Sequence, residues 1–320
     1  MGIFSVISLL GGLSIFLYGM DIMGDGLKSS SSKALKSMLE KVTHSAVLGM
    51  LTGPLVTSVI QSSTATIVLT VGLLSAGILN LRQSISIVMG ANIGTTVTAQ
   101  IIRLMDINSS GAAFIEIFKP STLAPLAVLC GIIFLKFVKS QKTKGIGMML
   151  MGFGILFTGL MGMTEAVSPL SESQAFTDVL QKFSDVPILG ILTGLITTFI
   201  VQSSSAVIGM VQALSSTGAF TFQTVYPLII GINLGTCITT AIVCSIGTDK
   251  DAKRTGIAHI LFNCIGTVLF MAAIPLLHHA GALNFIWGKP MNSGGIANFT
   301  TIFNPVSYTH LRAHETGRNL

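Results

Sequence analysis

The sequence predicts an all-α, polytopic membrane protein made of two inverted-topology repeats, each with a re-entrant helical hairpin that carries a Gln-Ser-Ser motif. Three observations lead to this prediction: an apolar composition, an internal duplication, and a polar cluster inside each copy. Of the 320 residues, 50% are hydrophobic and only 9% are charged, and the mean hydropathy is +0.79. Soluble domains carry roughly 25% charged residues, so this composition indicates a chain that lies in a lipid bilayer.

Several windows are long and apolar enough to cross a membrane as helices. A hydrocarbon core of about 30 Å needs roughly 20 apolar residues per helix. The first window lacks a basic start and an Ala-x-Ala cleavage site, which predicts a retained helix rather than a signal peptide. The net charge of +6 comes from Lys and Arg between the windows, which indicates topology signals rather than a nucleic-acid partner. The windows are residues 2–20, 84–105, 121–138, 145–163, 225–247 and 256–277.

The chain contains two copies of one unit, related by the shift that carries Gln61 onto Gln202. This shift aligns Gln-Ser-Ser with Gln-Ser-Ser, and it also aligns Gly-x-Asn-x-Gly-Thr at residues 90–95 with the same motif at residues 231–236. Long duplicated hydrophobic units are typical of transporters. The predicted organisation is transmembrane repeat 1 at residues 12–105, a connecting helix and loops at 106–151, transmembrane repeat 2 at 152–246, C-terminal transmembrane segments at 247–306, and a non-native tail at 307–320.

Each Gln-Ser-Ser motif interrupts an apolar stretch that is too short for two full crossings. The arms around the first motif are residues 46–60 and 64–79, a length that suits a re-entrant hairpin. If the lysines between residues 28 and 41 are cytoplasmic, every later basic cluster also falls in the cytoplasm, and an acidic loop at residues 165–185 falls outside. The chain then crosses three times between equivalent points, so the repeats are predicted to be inverted.

The polar side chains of these motifs are candidates for a binding site. An unsatisfied amide or hydroxyl in hydrocarbon costs several kcal/mol, so clustered polar groups need partners. One interpretation is that they bond to their own helix carbonyls or allow close helix packing. The other is that two hairpin tips meet at mid-membrane, where free N–H groups of helix starts and side-chain donors surround an anion.

On the second interpretation, the predicted site has two parts. The motifs contain no charged side chain, so a bound anion would need accompanying cations, and hydroxyl and amide oxygens suit sodium. The candidate substrate-binding residues are Gln61, Ser62, Ser63, Thr64, Gln202, Ser203, Ser204, Ser205, Asn92 and Asn233. The candidate sodium ligands are Gln61, Thr64, Thr95, Gln202, Ser205 and Thr236.

The polar residues outside these motifs do not indicate a binding or catalytic site. His259 and Asn263 share one helical face at an i, i+4 spacing, and we expect them to bond a neighbouring helix rather than to relay protons. The cysteines fall inside apolar segments without paired or metal-like spacing, which indicates inert thiols. The chain contains no nucleotide motif, redox pair or catalytic triad that we can identify, so we do not expect an enzyme.

The doubled motifs resemble those of the sodium-phosphate cotransporter family, which includes bacterial relatives of the type II sodium-phosphate cotransporters. The sequences QSSTAT and QSSSAV are each followed by GANIGTT or GINLGTC, and the resemblance covers about residues 12–304. It implies inorganic phosphate as substrate, sodium as driving ion without another cofactor, an inner (plasma) membrane location, and a shared site at residues 61–64 and 202–205. Cys237 replaces the counterpart of Thr96, a departure from the pattern.

Several alternatives stay open at this stage. The same site suits a phosphate or oxyanion exporter driven by a different ion, and the motifs also suit a membrane scaffold or sensor that transports nothing. Tetrahedral oxyanions such as sulfate and arsenate form the same kinds of hydrogen bond as phosphate. Many relatives continue into a further helix and a soluble PhoU-like domain, so the chain is expected to be truncated at its C-terminus.

Overall fold

The computed structural model describes residues 3–41, 46–106, 119–245 and 250–316, and the all-α prediction is confirmed for them. Short 3-10 turns follow two of the helices, at residues 103–106 and 168–172. The helices are α1 (Ile3–Lys41), α2 (Ala46–Ile60), α3 (Ser63–Ser75), α4 (Leu81–Ile102), α5 (Pro120–Phe137), α6 (Gln141–Val167), α7 (Gln174–Asp185), α8 (Pro187–Val201), α9 (Ser204–Ser215), α10 (Phe222–Ser245), α11 (Lys250–His279) and α12 (Ser293–Thr316).

Six of the described helices are long and apolar enough to cross a membrane, or seven spans if the bent pair α7 and α8 counts as one. These six are α1, α4, α5, α6, α10 and α11, and each predicted window falls on one of them. The arms around both motifs are shorter helices, as predicted. The protein is therefore a multi-pass helical membrane protein.

Helices α1 and α6 pack closely against each other along their length, with glycines at the points of contact. A Cβ added to Gly19 would lie 2.3 Å from the backbone nitrogen of Leu156, so the two backbones are in direct contact. Position along α1 increases as position along α6 decreases, so these helices are antiparallel. Because the contacting glycines recur at intervals of seven residues, the close approach repeats along the pair. The glycines are Gly12, Gly19 and Gly26 in α1 and Gly159, Gly152 and Gly145 in α6.

The last residues of α4 and the first residues of α10 lie at the same end of the bundle. The Ser293 hydroxyl at the start of α12 lies 3.4 Å from the carbonyl oxygen of Ile102, the last residue of α4. The segment before α12 also meets the start of α10, since the Met291 N–H donates to the Phe220 carbonyl at 2.7 Å. Although α4 and α10 occupy equivalent positions in the duplicated unit, they point in opposite directions.

The acidic segment predicted as a loop at residues 165–185 contains the helix α7, so the loop prediction was wrong there. This helix is strongly amphipathic: Leu180 is buried, and Phe176 and Phe183 pack against the core around α10. Its charged residues Asp178, Lys182 and Asp185 are exposed, which is why charge alone suggests a loop. The chain bends by 109° between α7 and α8.

Each of the five predicted segments falls partly outside the described residues. The undescribed parts are 42–45 of repeat 1, 107–118 of the connecting segment, 246 of repeat 2, 247–249 of the C-terminal segments and 317–320 of the predicted tail. The backbone of residues 307–316 continues α12 as helix.

Candidate functional site

The two Gln-Ser-Ser motifs adopt the same backbone conformation. Gln61 and Gln202 have φ angles of 58° and 59°, the left-handed region that few residues other than glycine adopt. The next residue is extended in both copies, with φ and ψ of −148° and 112° at Ser62 and −146° and 107° at Ser203. In each copy the left-handed glutamine ends the first helix, and the extended serine after it precedes the second helix. The duplication seen in sequence is therefore also a duplication of backbone geometry.

Serine caps the second helix of each motif. The Ser62 hydroxyl accepts a hydrogen bond from the Ala65 N–H at 3.1 Å, and the Ser203 hydroxyl accepts one from the Ala206 N–H at 3.3 Å. A side-chain cap satisfies only one of the N–H groups that a helix start leaves unpaired. The remaining N–H groups at the starts of α3 and α9 are thus free of intrahelical partners.

The glutamine side chains bridge each helix break to the next long helix of the same repeat. Gln61 Oε1 accepts a hydrogen bond from the Thr98 hydroxyl at 2.9 Å, and Gln202 Oε1 accepts one from the Thr239 hydroxyl at 3.2 Å. The Nε2 group turns back to the preceding helix, where it donates to the Ser58 carbonyl in one copy and to the Phe199 carbonyl in the other. Both glutamines therefore hold the break in position.

Sequence reasoning missed Thr98 and Thr239, although a signal for them was present. The shift that carries Gln61 onto Gln202 also carries Thr98 onto Thr239. These two threonines lie just beyond the Gly-x-Asn-x-Gly-Thr motif, so a longer alignment of the two copies finds them.

Burial differs between the two copies. Gln61 is buried, whereas Gln202 is exposed. The residue that starts the second helix is buried in both, with 9% exposure at Ser63 and 6% at Ser204. Ser205 is buried and Thr64 is half-buried. Hydroxyl groups are thus shielded from the surroundings at the start of both α3 and α9.

Asn92 belongs to a buried polar cluster with α11 and α12. Its Oδ1 lies 3.1 Å from His259 Nε2, its Nδ2 donates to Asn263 Oδ1 at 3.3 Å, and its carbonyl accepts from Asn304 Nδ2 at 3.1 Å. The expectation that His259 and Asn263 bond a neighbouring helix is confirmed, since Asn92 lies in α4. Asn304 was not predicted, because no counterpart in the repeats points to it.

The second asparagine behaves differently. Asn233 Nδ2 donates to the Ile229 carbonyl of its own helix at 2.9 Å, and the Thr236 hydroxyl donates to the Asn233 carbonyl at 2.6 Å. Thr95 is buried. Among the described hydrogen bonds, none joins Asn92 to Asn233 or one Gln-Ser-Ser motif to the other. The described residues also contain no cluster of His, Cys, Asp and Glu that suits a metal ion.

The second arm of each motif packs against the other repeat. Helix α3 contacts α10 of repeat 2, and α9 contacts α1 and α4 of repeat 1. The contact between α3 and α10 and the contact between α9 and α4 are equivalent under the duplication. The second arm of each motif therefore lies against a helix of the other repeat.

A membrane-spanning helical bundle with two duplicated polar helix breaks is typical of secondary transporters. The Na+/Pi-cotransporter family model matches residues 15–165 and again 161–289. The chain belongs to this family.

The names of similar proteins include both a phosphate exporter and a sodium-dependent phosphate transporter. "Uncharacterized protein YqeW" of Bacillus subtilis (strain 168) is 28% identical over 91% of this chain and 89% of its own length. "Putative inorganic phosphate export protein YjbB" of Escherichia coli (strain K12) is 24% identical over 85% of this chain and 48% of its own length, so the chain spans about half of that protein. Human "Sodium-dependent phosphate transport protein 2B" is 34% identical over 33% of this chain and 16% of its own length. No solved structure matches the chain.

Proposed function

We propose that the protein is a secondary transporter that moves inorganic phosphate together with sodium across the cell's inner (plasma) membrane. The observation that carries this proposal is the pair of polar helix breaks with equal backbone angles at Gln61 and Gln202. Membership of the Na+/Pi-cotransporter family supports phosphate as the substrate. The name of the human relative supports sodium as the coupling ion.

The transport cycle follows from inverted repeats with re-entrant hairpins. The arms α2 and α3 contain 15 and 13 residues, about 22 and 20 Å at 1.5 Å per residue, which is short of a bilayer core of about 30 Å. Antiparallel α1 and α6, and the opposite directions of α4 and α10, support inversion. Two such halves rock around a shared site and expose it to each face in turn.

The shared site recognises phosphate through neutral donors. The starts of α3 and α9 carry unpaired N–H groups and the positive end of a helix dipole, which favour an anion. The hydroxyls of Ser63, Thr64, Ser204 and Ser205 add donors beside these N–H groups. The same hydroxyl oxygens, with carbonyl oxygens at the breaks, suit sodium ions that offset the charge of the anion.

A test of this site uses the serines that start the second helices. Ser63→Ala and Ser204→Ala each remove a hydroxyl for which the structure gives no side-chain hydrogen bond, so the fold is retained. A lost hydrogen bond to a charged ligand costs about 1.5–3 kcal/mol, or roughly 10- to 150-fold in kcat/KM. Phosphate uptake into proteoliposomes should require an inward sodium gradient and should fall by that factor in both variants.

Ser216→Ala is the matched control, because Ser216 caps the opposite end of α9 and its hydroxyl donates to the Ala213 carbonyl. This variant should transport normally. Uptake that is indifferent to sodium refutes the coupling, and full activity in both Ser63→Ala and Ser204→Ala refutes the site. Phosphate should also raise the unfolding temperature of purified protein more in sodium than in potassium, since only a ligand of the folded state stabilises it. No stabilisation under either condition favours a scaffold or sensor.

Export is the second candidate function, favoured by the name of the Escherichia coli relative. The same site serves either direction, because a secondary transporter follows the gradients that drive it. Vesicles loaded with phosphate distinguish the two functions. Release that needs no sodium gradient supports export with another driving ion.

A further inference from the structure

A polar cleft lies where α4 ends and α12 begins, and none of its described lining residues belongs to a Gln-Ser-Ser motif. Its volume is about 530 Å³, and Gln100, Arg103, Asp106, Asn292 and Asn298 are among the side chains that line it. Leu104 is its one apolar side chain among the described lining residues. The charge pattern of the sequence predicts that this face is the outer one. The cleft thus opens where a ligand arrives from outside the cell.

The electrostatics of the cleft favour an anion. Arg103 Nη1 donates to Asn298 Oδ1 at 3.1 Å and lies 3.5 Å from Gln100 Oε1, and both of these partners are neutral amides. The Asp106 carboxylate accepts a hydrogen bond from the Gly294 N–H at the start of α12, where the helix dipole offsets its negative charge. Asp106 lies near the guanidinium, since an added Cβ on Gly294 would be 3.0 Å from Asp106 Oδ2 and 3.1 Å from Arg103 Nε, but the two side chains form no salt bridge with each other. The positive charge of Arg103 is therefore not paired directly with a carboxylate among the described residues.

The geometry around Arg103 also suits an oxyanion. Both hydrogen-bond contacts of the guanidinium with described residues use Nη1, so its Nη2 group is available to donate a hydrogen bond to an oxyanion. The arginine side chain lies over Gly294, where an added Cβ would be 3.1 Å from Nε. A larger residue at position 294 would push the arginine out of this position.

A buried glutamine links the cleft to the second motif. Gln212 Nε2 donates to the Ala99 carbonyl at 3.1 Å and to the Ser293 carbonyl and hydroxyl at 3.0 and 2.9 Å. Ser293 adjoins Gly294 in the cleft, and Gln212 lies eight residues into α9, about 12 Å from the start at Ser204. The cleft is thus joined by one helix to the polar break of repeat 2.

We propose that this cleft is a recruitment site for an oxyanion, in which Arg103 binds inorganic phosphate at the face where α4 ends. Onward transport of the bound phosphate rests on the proposed function, but binding of phosphate to the cleft does not depend on transport. An initial site of this kind lowers the phosphate concentration needed at one face without changing the maximal rate of transport. Its effect is also sensitive to ionic strength, because Arg103 is exposed.

The transport experiment compares Arg103→Gln with Arg82→Gln in oriented proteoliposomes. Arg82 is the matched control, because it lies in the first turn of the same helix, 21 residues away and therefore about 31 Å along α4. Arg103→Gln should raise the KM for phosphate at the α4 C-terminal face about tenfold, with the maximal rate and the KM at the opposite face unchanged. Arg82→Gln should leave the KM at the α4 C-terminal face unchanged. Equal KM values in wild type and Arg103→Gln overturn the proposal.

A binding experiment separates this inference from the proposed function. Equilibrium binding of inorganic phosphate is measured on purified Ser63→Ala/Ser204→Ala protein in detergent, with and without Arg103→Gln. Binding that depends on Arg103 supports the cleft even if the wild type transports no phosphate, in which case only the proposed function falls. Binding that is independent of Arg103 overturns the cleft.

Lipid headgroups carry the same phosphate chemistry, so a final arm uses vesicles with and without anionic phospholipid. Arg103→Gln should lose free-phosphate binding in both. If Arg103→Gln instead abolishes only stabilisation by anionic lipid, the cleft holds a lipid headgroup and the proposal for free phosphate is overturned.

Discussion

The glycine contact between α1 and α6 makes a quantitative prediction for Gly19→Ala. The new Cβ would lie 2.3 Å from the Leu156 nitrogen and 2.9 Å from the Gly152 carbonyl oxygen, both backbone atoms that cannot rotate away. Ordinary contact begins at 3.4 Å, so the helices must separate locally by about 1 Å. Overpacking of this kind costs about 1–3 kcal/mol, against a gain of up to about 1 kcal/mol from the better helix propensity of alanine. We expect a net loss of about 1–2 kcal/mol.

Gly11→Ala is the control, because Gly11 lies in the same helix and an added Cβ there meets nothing within 4 Å. It should be neutral or slightly stabilising, so the two variants should differ by about 2–3 kcal/mol. Reversible unfolding in mixed detergent and SDS micelles measures both free energies of unfolding. Equal shifts in the two variants would show that the close approach of α1 and α6 does not determine stability.

Three further substitutions test buried polar groups, each by the same unfolding measurement. The Thr198 hydroxyl is buried without a described partner, so Thr198→Val should stabilise the fold by about 1 kcal/mol; a loss of stability would mean that the hydroxyl has a partner. Its counterpart Thr57 donates to the Thr66 hydroxyl at 3.0 Å, so Thr57→Val should instead destabilise by about 0.5–1.5 kcal/mol. His259→Leu removes the hydrogen-bond partner of Asn92 Oδ1 and should lower the free energy of unfolding by about 1–3 kcal/mol. Unchanged stability would show that the polar cluster does not stabilise the fold.

Composition and duplication were enough to predict the spans and both helix breaks, because both depend on local sequence. The glutamine conformation at positions 61 and 202 was not predictable, since propensity disfavours glutamine in the left-handed region and the bonds to Thr98 and Thr239 come from tertiary packing. The amphipathic helix α7 was not predicted, because acidic residues between two apolar segments also indicate a loop.

The expected equivalence of Asn92 and Asn233 shows why duplication predicts a site only in part. The two residues occupy matching positions, yet the partners of Asn92 come from α11 and α12, which follow both repeats. Likewise Val207 stands at the counterpart of Thr66, which leaves Thr198 without the bond that Thr57 makes. Two duplicated residues therefore have different environments when their neighbours are not duplicated. Whether the ten predicted substrate residues act together stays a prediction for the transport assays.

The left-handed glutamine at position 61 has a consequence for the sidedness of the whole protein. Were Gln61 and Ser62 to become helical, residues 46–75 would form one rod of about 45 Å, long enough to pass through the bilayer. On the proposed topology, that single extra crossing would place every downstream loop on the opposite side of the membrane. On that topology, the break at Gln61 and Ser62 would determine which compartment the second half of the chain faces.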